Sequence, residues 1–259
     1  MTRALVTGAG KRIGRALALG LATRGYDVAV HYAGSAEDAE DTAAEIRALG
    51  RTAATLRADL MQEDETQALL PAAAAALGGP VTVLVNNASI FERDQIADVS
   101  RDSWDRHMES NLRAPFVLMQ AMAAQGLRAE PDAAGEPIAA GLVINMIDQR
   151  VRKLTPDFTS YTLSKAALWT LTQTAAQALA PDLRVNAIGP GPTLQGPRQT
   201  EADFAAQRAA TVLGRGASPE EIVAALCYFL EAKSVTGQLL CVDGGQHLGW
   251  QTPDALGVE

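Results

Sequence analysis

Short, almost uniformly apolar β-branched runs alternate with longer Ala/Leu-rich stretches along most of this chain, and that alternation restricts the fold more than any other feature. The runs at 4–7, 28–31, 53–57, 81–86, 142–146, 184–188 and 238–242 are strand candidates. Helical patterns occupy the intervals near 12–24, 36–49, 62–77, 101–126, 159–180 and 219–231. A strand that is apolar at every position must be covered on both faces. Strands that alternate with helices achieve this as βαβ units around a parallel sheet. The expected architecture is α/β: a doubly wound, seven-stranded parallel sheet flanked by helices, in one domain spanning 1–259. Two helix starts carry cap signals: Ser35 before Ala36-Glu37-Asp38, and Ser218 before Pro219-Glu220-Glu221. The Ala-, Pro- and Gly-rich segment 126–141 reads as a surface excursion.

The first strand runs straight into Thr7-Gly8-Ala9-Gly10-Lys11-Arg12-Ile13-Gly14 and then a helix. Glycines there allow close backbone approach, and a helix N-terminus offers free N–H groups to an anion such as a pyrophosphate. A tight turn with solvated cations is the competing reading of the same residues. After the second strand, His31-Tyr32-Ala33-Gly34-Ser35 contains no carboxylate that would accept hydrogen bonds from ribose hydroxyls. With Lys11 and Arg12 opposite and Ser35 as a donor, that end suits an adenosine 2′-phosphate, so NADP(H) is the expected cofactor. Asp59 ends the third strand, where as a bare sequence feature it could cap the helix beginning near Gln62.

Other classes of function fit less well. The net charge of −8 disfavours nucleic acid as the main partner. No apolar run is long enough to span a membrane, and the N-terminus enters a strand at once, so a cytoplasmic protein is expected. Two cysteines without CxxC spacing and three scattered histidines point to no metal site.

Tyr161 and Lys165 lie four apart in a helical pattern and project from one face. A lysine ammonium near a phenol lowers the tyrosine pKa and makes it a general acid–base, although the spacing alone also describes an ordinary helix-surface pair. Asp148, at the end of the fifth strand, is either a strand-end cap or a proton donor. Phe91 is either rim packing or an aromatic wall for a flat ligand.

Taken together and in order, these segments resemble the short-chain dehydrogenase/reductase family over nearly the whole chain. The glycine turn matches TGxxxGxG, except that Arg12 replaces the middle glycine. Asn86-Asn87-Ala88, Asn111, Tyr161-x-x-x-Lys165, Pro190-Gly191 and Val242-Asp243-Gly244-Gly245 match the later motifs. The resemblance implies a Rossmann fold and cofactor contacts from Gly8, Lys11, Arg12, Ile13, Gly14, His31, Tyr32, Ser35, Asp59, Leu60, Asn87, Ala88, Ser89, Tyr161, Lys165, Pro190 and Gly191. It also implies that Asn111 holds a relay water leading to Lys165, that Tyr161 is the proton donor, and that the protein is a homotetramer. The helices near 101–126 and 159–180 carry Phe116, Leu118, Met119, Leu168, Trp169 and Leu171 as candidate interface residues.

Asp148 departs from the family's usual serine thirteen residues before the tyrosine. With Lys11-Arg12 and Ser89-Ile90-Phe91, it resembles the pteridine reductase branch. That resemblance implies a pterin- or folate-like substrate held by Arg12, Ser89, Phe91, Asp148 and Tyr161. Gly34 departs from that branch, which often has an arginine there. In the segment 193–213, Leu194 and Arg198 are candidates without a diagnostic match. Two competing functions are a carbonyl reductase or alcohol dehydrogenase for another small molecule, and a non-catalytic nucleotide-binding relative.

Overall fold

Alternate residues of each strand enter different cores, which explains why the strands are apolar throughout. The computed structural model describes residues 2–252 and residue 255. Its strands are β1 (Arg3–Val6), β2 (Asp27–Tyr32), β3 (Ala53–Arg57), β4 (Val83–Asn86), β5 (Glu130–Pro131), β6 (Pro137–Ile138), β7 (Gly141–Met146), β8 (Leu183–Pro190) and β9 (Leu239–Val242). Seven of them form one sheet in the order β3-β2-β1-β4-β7-β8-β9. Every pairing within it is parallel. The order reverses between β1 and β4, and in such sheets ligands bind in the crevice beyond the carboxyl ends at that point.

The helices are α1 (Arg12–Thr23), α2 (Ala36–Ala48), α3 (Glu63–Ala76), α4 (Arg101–Met108), α5 (Ala114–Ala124), α6 (Thr159–Ala178), α7 (Glu201–Ala209) and α8 (Pro219–Glu231). Ala4, Val6, Val28, Val30, Val85 and Ile144 pack with Leu17 and Leu21 of α1, Ile46 of α2 and Leu226 and Phe229 of α8. Leu5, Ala29, Leu84, Val143 and Val185 point the other way, onto Leu69 and Leu70 of α3, Leu118 and Met122 of α5 and Ala175 of α6. Each fully buried Leu or Phe contributes about 1.5–3 kcal/mol. The double-sided core is therefore what holds the carboxyl edge of the sheet rigid enough to carry a site.

The structure differs from the sequence reading in five places. The helix expected across 101–126 is interrupted by a π-helical turn at Glu109–Arg113 that carries Asn111. Residues 201–209 form an additional helix, α7, started by a Thr200/Asp203 capping box. The 126–141 excursion contains the small β5–β6 hairpin. Ser218 caps α8 in a full capping box, whereas Ser35 makes no side-chain cap bond to α2. Leu118, Met119 and Leu168 are at most 3% exposed within the protomer, so they belong to the core and not to an interface. Among the described residues, no helix is long and apolar enough to cross a membrane.

Candidate active site

The glycine turn is built by hydrogen bonds from segments far along the chain. Thr7 Oγ1 accepts from the backbone N–H groups of Asn87 and Ala88, both at 2.9 Å. Asn87 Nδ2 donates to the carbonyls of Thr7 and Gly8 at 2.8 and 3.2 Å. A Cβ on Gly14 would stand 2.1 Å from the Gly8 carbonyl oxygen, so only glycine lets α1 start this close to the turn. Ile13 is half-buried against the first core.

His31, expected among the cofactor contacts, lies beneath the turn with both ring nitrogens engaged by the protein. It is 1% exposed, its Nδ1 accepts from Gly8 N–H at 3.0 Å, and its Nε2 donates to the Ala58 carbonyl at 3.0 Å. Burial lowers its pKa and keeps it neutral, so it braces the turn.

Arg12 replaces the family's middle glycine at φ +54°, the left-handed region that costs a non-glycine residue roughly 1–2 kcal/mol. Its guanidinium donates to the Gln195 and Leu194 carbonyls at 2.9 and 3.1 Å, tying the turn to the segment before α7. Lys11 pairs with Asp38 at 2.7 Å, so part of the positive charge expected there is already neutralised. Asp59 Oδ1 accepts from Met61 N–H at 3.0 Å in the turn before α3, whose N-cap is Gln62, so Asp59 does not cap that helix, and Leu60 is buried. Tyr32 and Pro190 end their strands half-buried. Gly191 N–H donates to the Val242 carbonyl at 3.0 Å.

The centre of the site lies at the ends of β4 and β7 and the start of α6. Tyr161 donates its hydroxyl hydrogen to Asp148 Oδ2 at 3.0 Å. Asp148 Oδ1 accepts from Arg150 N–H at 2.8 Å and caps a short 3₁₀ turn at Gln149–Val151, so Asp148 is both a cap and a partner of the tyrosine. Burial raises the Asp148 pKa.

Tyr161 runs against expectation. Burial first, then the Asp148 charge and hydrogen bond, raise its pKa well above the ordinary phenol value. Lys165 is itself desolvated, with its pKa lowered to about 8. Its Nζ donates to the Met146 carbonyl at 2.8 Å and sits 5.7 Å from the Tyr161 ring centroid. The lysine does not set the sign of the tyrosine's shift in the ligand-free protein.

Asn111, expected to hold a relay water, has its side-chain atoms engaged by the protein. Its Oδ1 accepts from Ile90 N–H at 2.8 Å and Ser89 Oγ at 3.1 Å, and its Nδ2 donates to the Ile90 carbonyl at 2.9 Å and Ser164 Oγ at 3.2 Å. Two donors and two lone pairs are thereby used. In this conformation the Asn111 side chain staples the 89–90 segment to α6 and has no donor or lone pair left over.

Two elements hold Tyr161 from outside the expected set. Ser160 Oγ bonds His107 Nδ1 at 2.7 Å and donates to Asp94, while Asp94 Oδ1 accepts from Ser160 N–H at 3.1 Å; all three residues are at most 5% exposed. Phe158, at φ +63°, stacks on Phe91 with centroids 4.4 Å apart, and Phe91 meets the Tyr161 ring edge-on at 4.6 Å. Phe91 is thus the exposed aromatic wall beside Tyr161, with one face already taken by Phe158. Nothing in the sequence marked Phe158, because a left-handed phenylalanine ahead of a helix has no composition signal.

The family model described as enoyl-(acyl carrier protein) reductase matches residues 8–247. The 3-oxoacyl-(acyl-carrier-protein) reductase of Staphylococcus aureus is 32% identical over 250 residues, covering 95% of this chain and 98% of that protein. A short-chain dehydrogenase/reductase of Armillaria gallica is 33% identical over 260 residues, covering 93% of this chain and 94% of its own. The chain belongs to the short-chain dehydrogenase/reductase family. Among solved structures, it is similar to FolM alternative dihydrofolate reductase 1 from Brucella suis in complex with NADP. The two share 44% identity, a TM-score of 0.89 and 98% coverage of both chains. The corresponding Brucella canis protein complexed with NADP shares 42% identity, with a TM-score of 0.88 and 98% coverage of both.

A dinucleotide fits the residues of this member of the family. The N-cap of α1, Lys11, makes no side-chain cap bond, and the first turn holds no acidic residue, so that helix end keeps its positive pole for an anion. Gly34 faces open space, which leaves room for a phosphate beside Ser35.

Proposed function

We propose that this oxidoreductase uses NADPH to reduce a C=N bond in a pterin- or folate-like ring. One observation carries the reading: a carboxylate whose ionised form is disfavoured by burial accepts a hydrogen bond from a buried tyrosine, Asp148 from Tyr161 at 3.0 Å. A carboxylate is a poor partner for a substrate carbonyl oxygen, but it suits the amine and ring N–H edge of a heterocycle. Phe91, exposed beside Tyr161, offers an apolar face for such a ring. The Brucella structures, named alternative dihydrofolate reductases and bound to NADP, support the same class.

Under this reading Gly8, Arg12, Gly14, Ser35, Asn87 and Ala88 line the dinucleotide cleft, and Ser89, Phe91, Asp148 and Tyr161 line the substrate side. NADPH bound there supplies hydride to a ring carbon. Tyr161, kept protonated by burial and the Asp148 charge, donates the proton to the adjacent nitrogen. When Asp148 carries a proton, which its burial favours, it is positioned to pass it to Tyr161 along their contact or to a second ring nitrogen, and it is left ionised. Lys165, charged at neutral pH, stabilises negative charge left on the phenol oxygen. A cytoplasmic homotetramer is part of the proposal. The groove of about 630 Å³ along α5 and α6, lined by Leu112, Phe116 and Leu171 among others, is the face available for that contact.

The test is NADPH oxidation against dihydrobiopterin, dihydromonapterin, dihydrofolate, a 3-oxoacyl thioester and simple ketones. Turnover of the pterins upholds the reading. Turnover of the thioester or ketones alone, the activity carried in the name of the Staphylococcus relative, replaces it with carbonyl reduction.

A further inference from the structure

Phe91 and Tyr161, which the reading above places on the substrate side, come from distant segments, yet their immediate neighbours belong to one buried hydrogen-bond chain. Glu92 N–H, next to Phe91, donates to His107 Nε2 at 3.1 Å. Ser160, next to Tyr161, has its Oγ 2.7 Å from His107 Nδ1 and donates its own hydrogen to Asp94 Oδ2. His107 and Ser160 are fully buried, and Asp94 is 5% exposed. The His107 ring meets Tyr161 edge-on with centroids 6.0 Å apart, and Phe91 meets it edge-on at 4.6 Å.

Two backbone groups fix the direction of every link. The Ser103 carbonyl, 2.9 Å from His107 Nδ1, can only accept, so Nδ1 carries the hydrogen. The Glu92 N–H can only donate, so Nε2 is bare. Ser160 Oγ therefore accepts from Nδ1–H and passes its hydrogen to Asp94. Asp94 also accepts from Ser103 Oγ at 2.8 Å and from Ser160 N–H at 3.1 Å. Facing donors only, it is a carboxylate: burial by itself would raise its pKa, and the hydrogen bonds from Ser160 and Ser103 outweigh burial and lower it. Its charge meets the N-terminus of α6, whose N-cap residue, Phe158, makes no side-chain cap bond, and its carbonyl accepts from Phe158 N–H at 2.8 Å. One residue from the segment after β4 thus caps the helix that carries Tyr161 and Lys165.

We propose that Asp94, Ser160 and His107 are positioning residues: a one-way hydrogen-bond chain that sets the gap between the Phe91 ring and the Tyr161 hydroxyl, so that a flat ring lying on Phe91 presents its nitrogen to the tyrosine. They act through Phe91 and Tyr161, each of which is flanked by a member of the chain. A chain whose links each have one allowed direction cannot re-pair when a link is lost. Removing the Ser160 hydroxyl cuts the tie between Asp94 and His107, and removing the His107 ring nitrogens leaves Glu92 N–H without its partner. The proposal rests on the pterin-reductase reading above and deepens it.

Spectra that need no turnover give the first test. With 15N-labelled histidine, the His107 signals, assigned with His107→Gln, show a hydrogen on Nδ1 and none on Nε2; a hydrogen on Nε2 overturns the proposal. The chain has five phenylalanines, so 13C-phenylalanine spectra are simple. Ser160→Ala, which deletes one hydroxyl, moves or broadens the Phe91 and Phe158 signals. Unchanged signals, or equal changes spread over all five, overturn the proposal. In kinetics, Ser160→Ala lowers kcat/KM for dihydrobiopterin about tenfold and His107→Leu lowers it further, while the dissociation constant of NADPH stays within twofold of the wild type. His107→Gln, whose amide oxygen can still accept from Glu92 N–H, retains more activity than His107→Leu. Activity within twofold of the wild type in both Ser160→Ala and His107→Leu, or NADPH affinity that falls in step with activity, overturns the proposal. If no pterin turns over in the wild type, the functional reading fails by itself, and the two sets of spectra decide whether the chain holds Phe91 against Tyr161.

Discussion

Replacing Asp148 by Asn removes one negative charge from the Tyr161 hydroxyl while keeping an oxygen able to accept its hydrogen bond. The carboxylate oxygen lies 3.0 Å from the phenol oxygen. Unit charges about 4 Å apart interact by about 4 kcal/mol at an effective dielectric constant near 20. Burial is the first cause of the raised tyrosine pKa, and an interaction of that size with the Asp148 charge adds to it. The sign follows directly: the Asp148 charge holds the proton on Tyr161, and its removal lets the proton leave at lower pH. A tyrosine acting as the acid in reduction must be protonated, so the alkaline limb of kcat/KM moves to lower pH in Asp148→Asn. A shift of at least one pH unit is expected, with pterin turnover reduced more than ketone turnover. Steady-state rates from pH 6 to 11 give the limb. The absorbance of tyrosinate near 295 nm, taken as the difference between Asp148→Asn and the same variant carrying Tyr161→Phe, gives the titration without turnover. An alkaline limb within 0.3 pH units of the wild type, together with an unchanged pterin-to-ketone ratio, refutes the electrostatic argument.

Gly14→Ala places a methyl group 2.1 Å from the Gly8 carbonyl and forces the helix away from the turn, so NADPH affinity drops at least tenfold and Tm falls. Equilibrium titration and thermal melts check both. Arg12→Gly relieves a left-handed non-glycine residue but releases the Leu194 and Gln195 carbonyls. The substrate KM rises and proteolysis within 194–199 accelerates, while the melting temperature changes little. Lys165→Met removes a buried lysine whose pKa stands near 8 instead of 10.5. Between those pH values the unfolded chain binds the proton and the folded protein does not, so the wild type gains about 3 kcal/mol relative to the variant as pH rises from 8 to 10.5. Denaturant unfolding at several pH values measures the difference, and pterin turnover in the variant falls about 10²-fold or more.

The alternation of apolar runs with helical stretches was enough to specify a parallel sheet covered on both faces, because residues such as Leu5 and Val6 must each find a separate core. The glycine turn and the Tyr161–Lys165 pair were legible because they are local: fixed spacings on a turn and on one helix face. The hidden part depended on which polar atoms were already spent. Asn111, His31 and Lys11 read as available groups, and each is occupied by a partner that no spacing reveals. Arg12 reaches carbonyls more than 180 positions away, and the Tyr161 shift comes from burial reinforced by a carboxylate 13 positions upstream. The left-handed Phe158 and its stack on Phe91 likewise arise from contacts between the segment after β4 and the start of α6. Periodicity records which side of an element is dry. Hydrogen-bond saturation and local field are sums over atoms from distant segments, and only the folded chain brings those atoms within reach of one another.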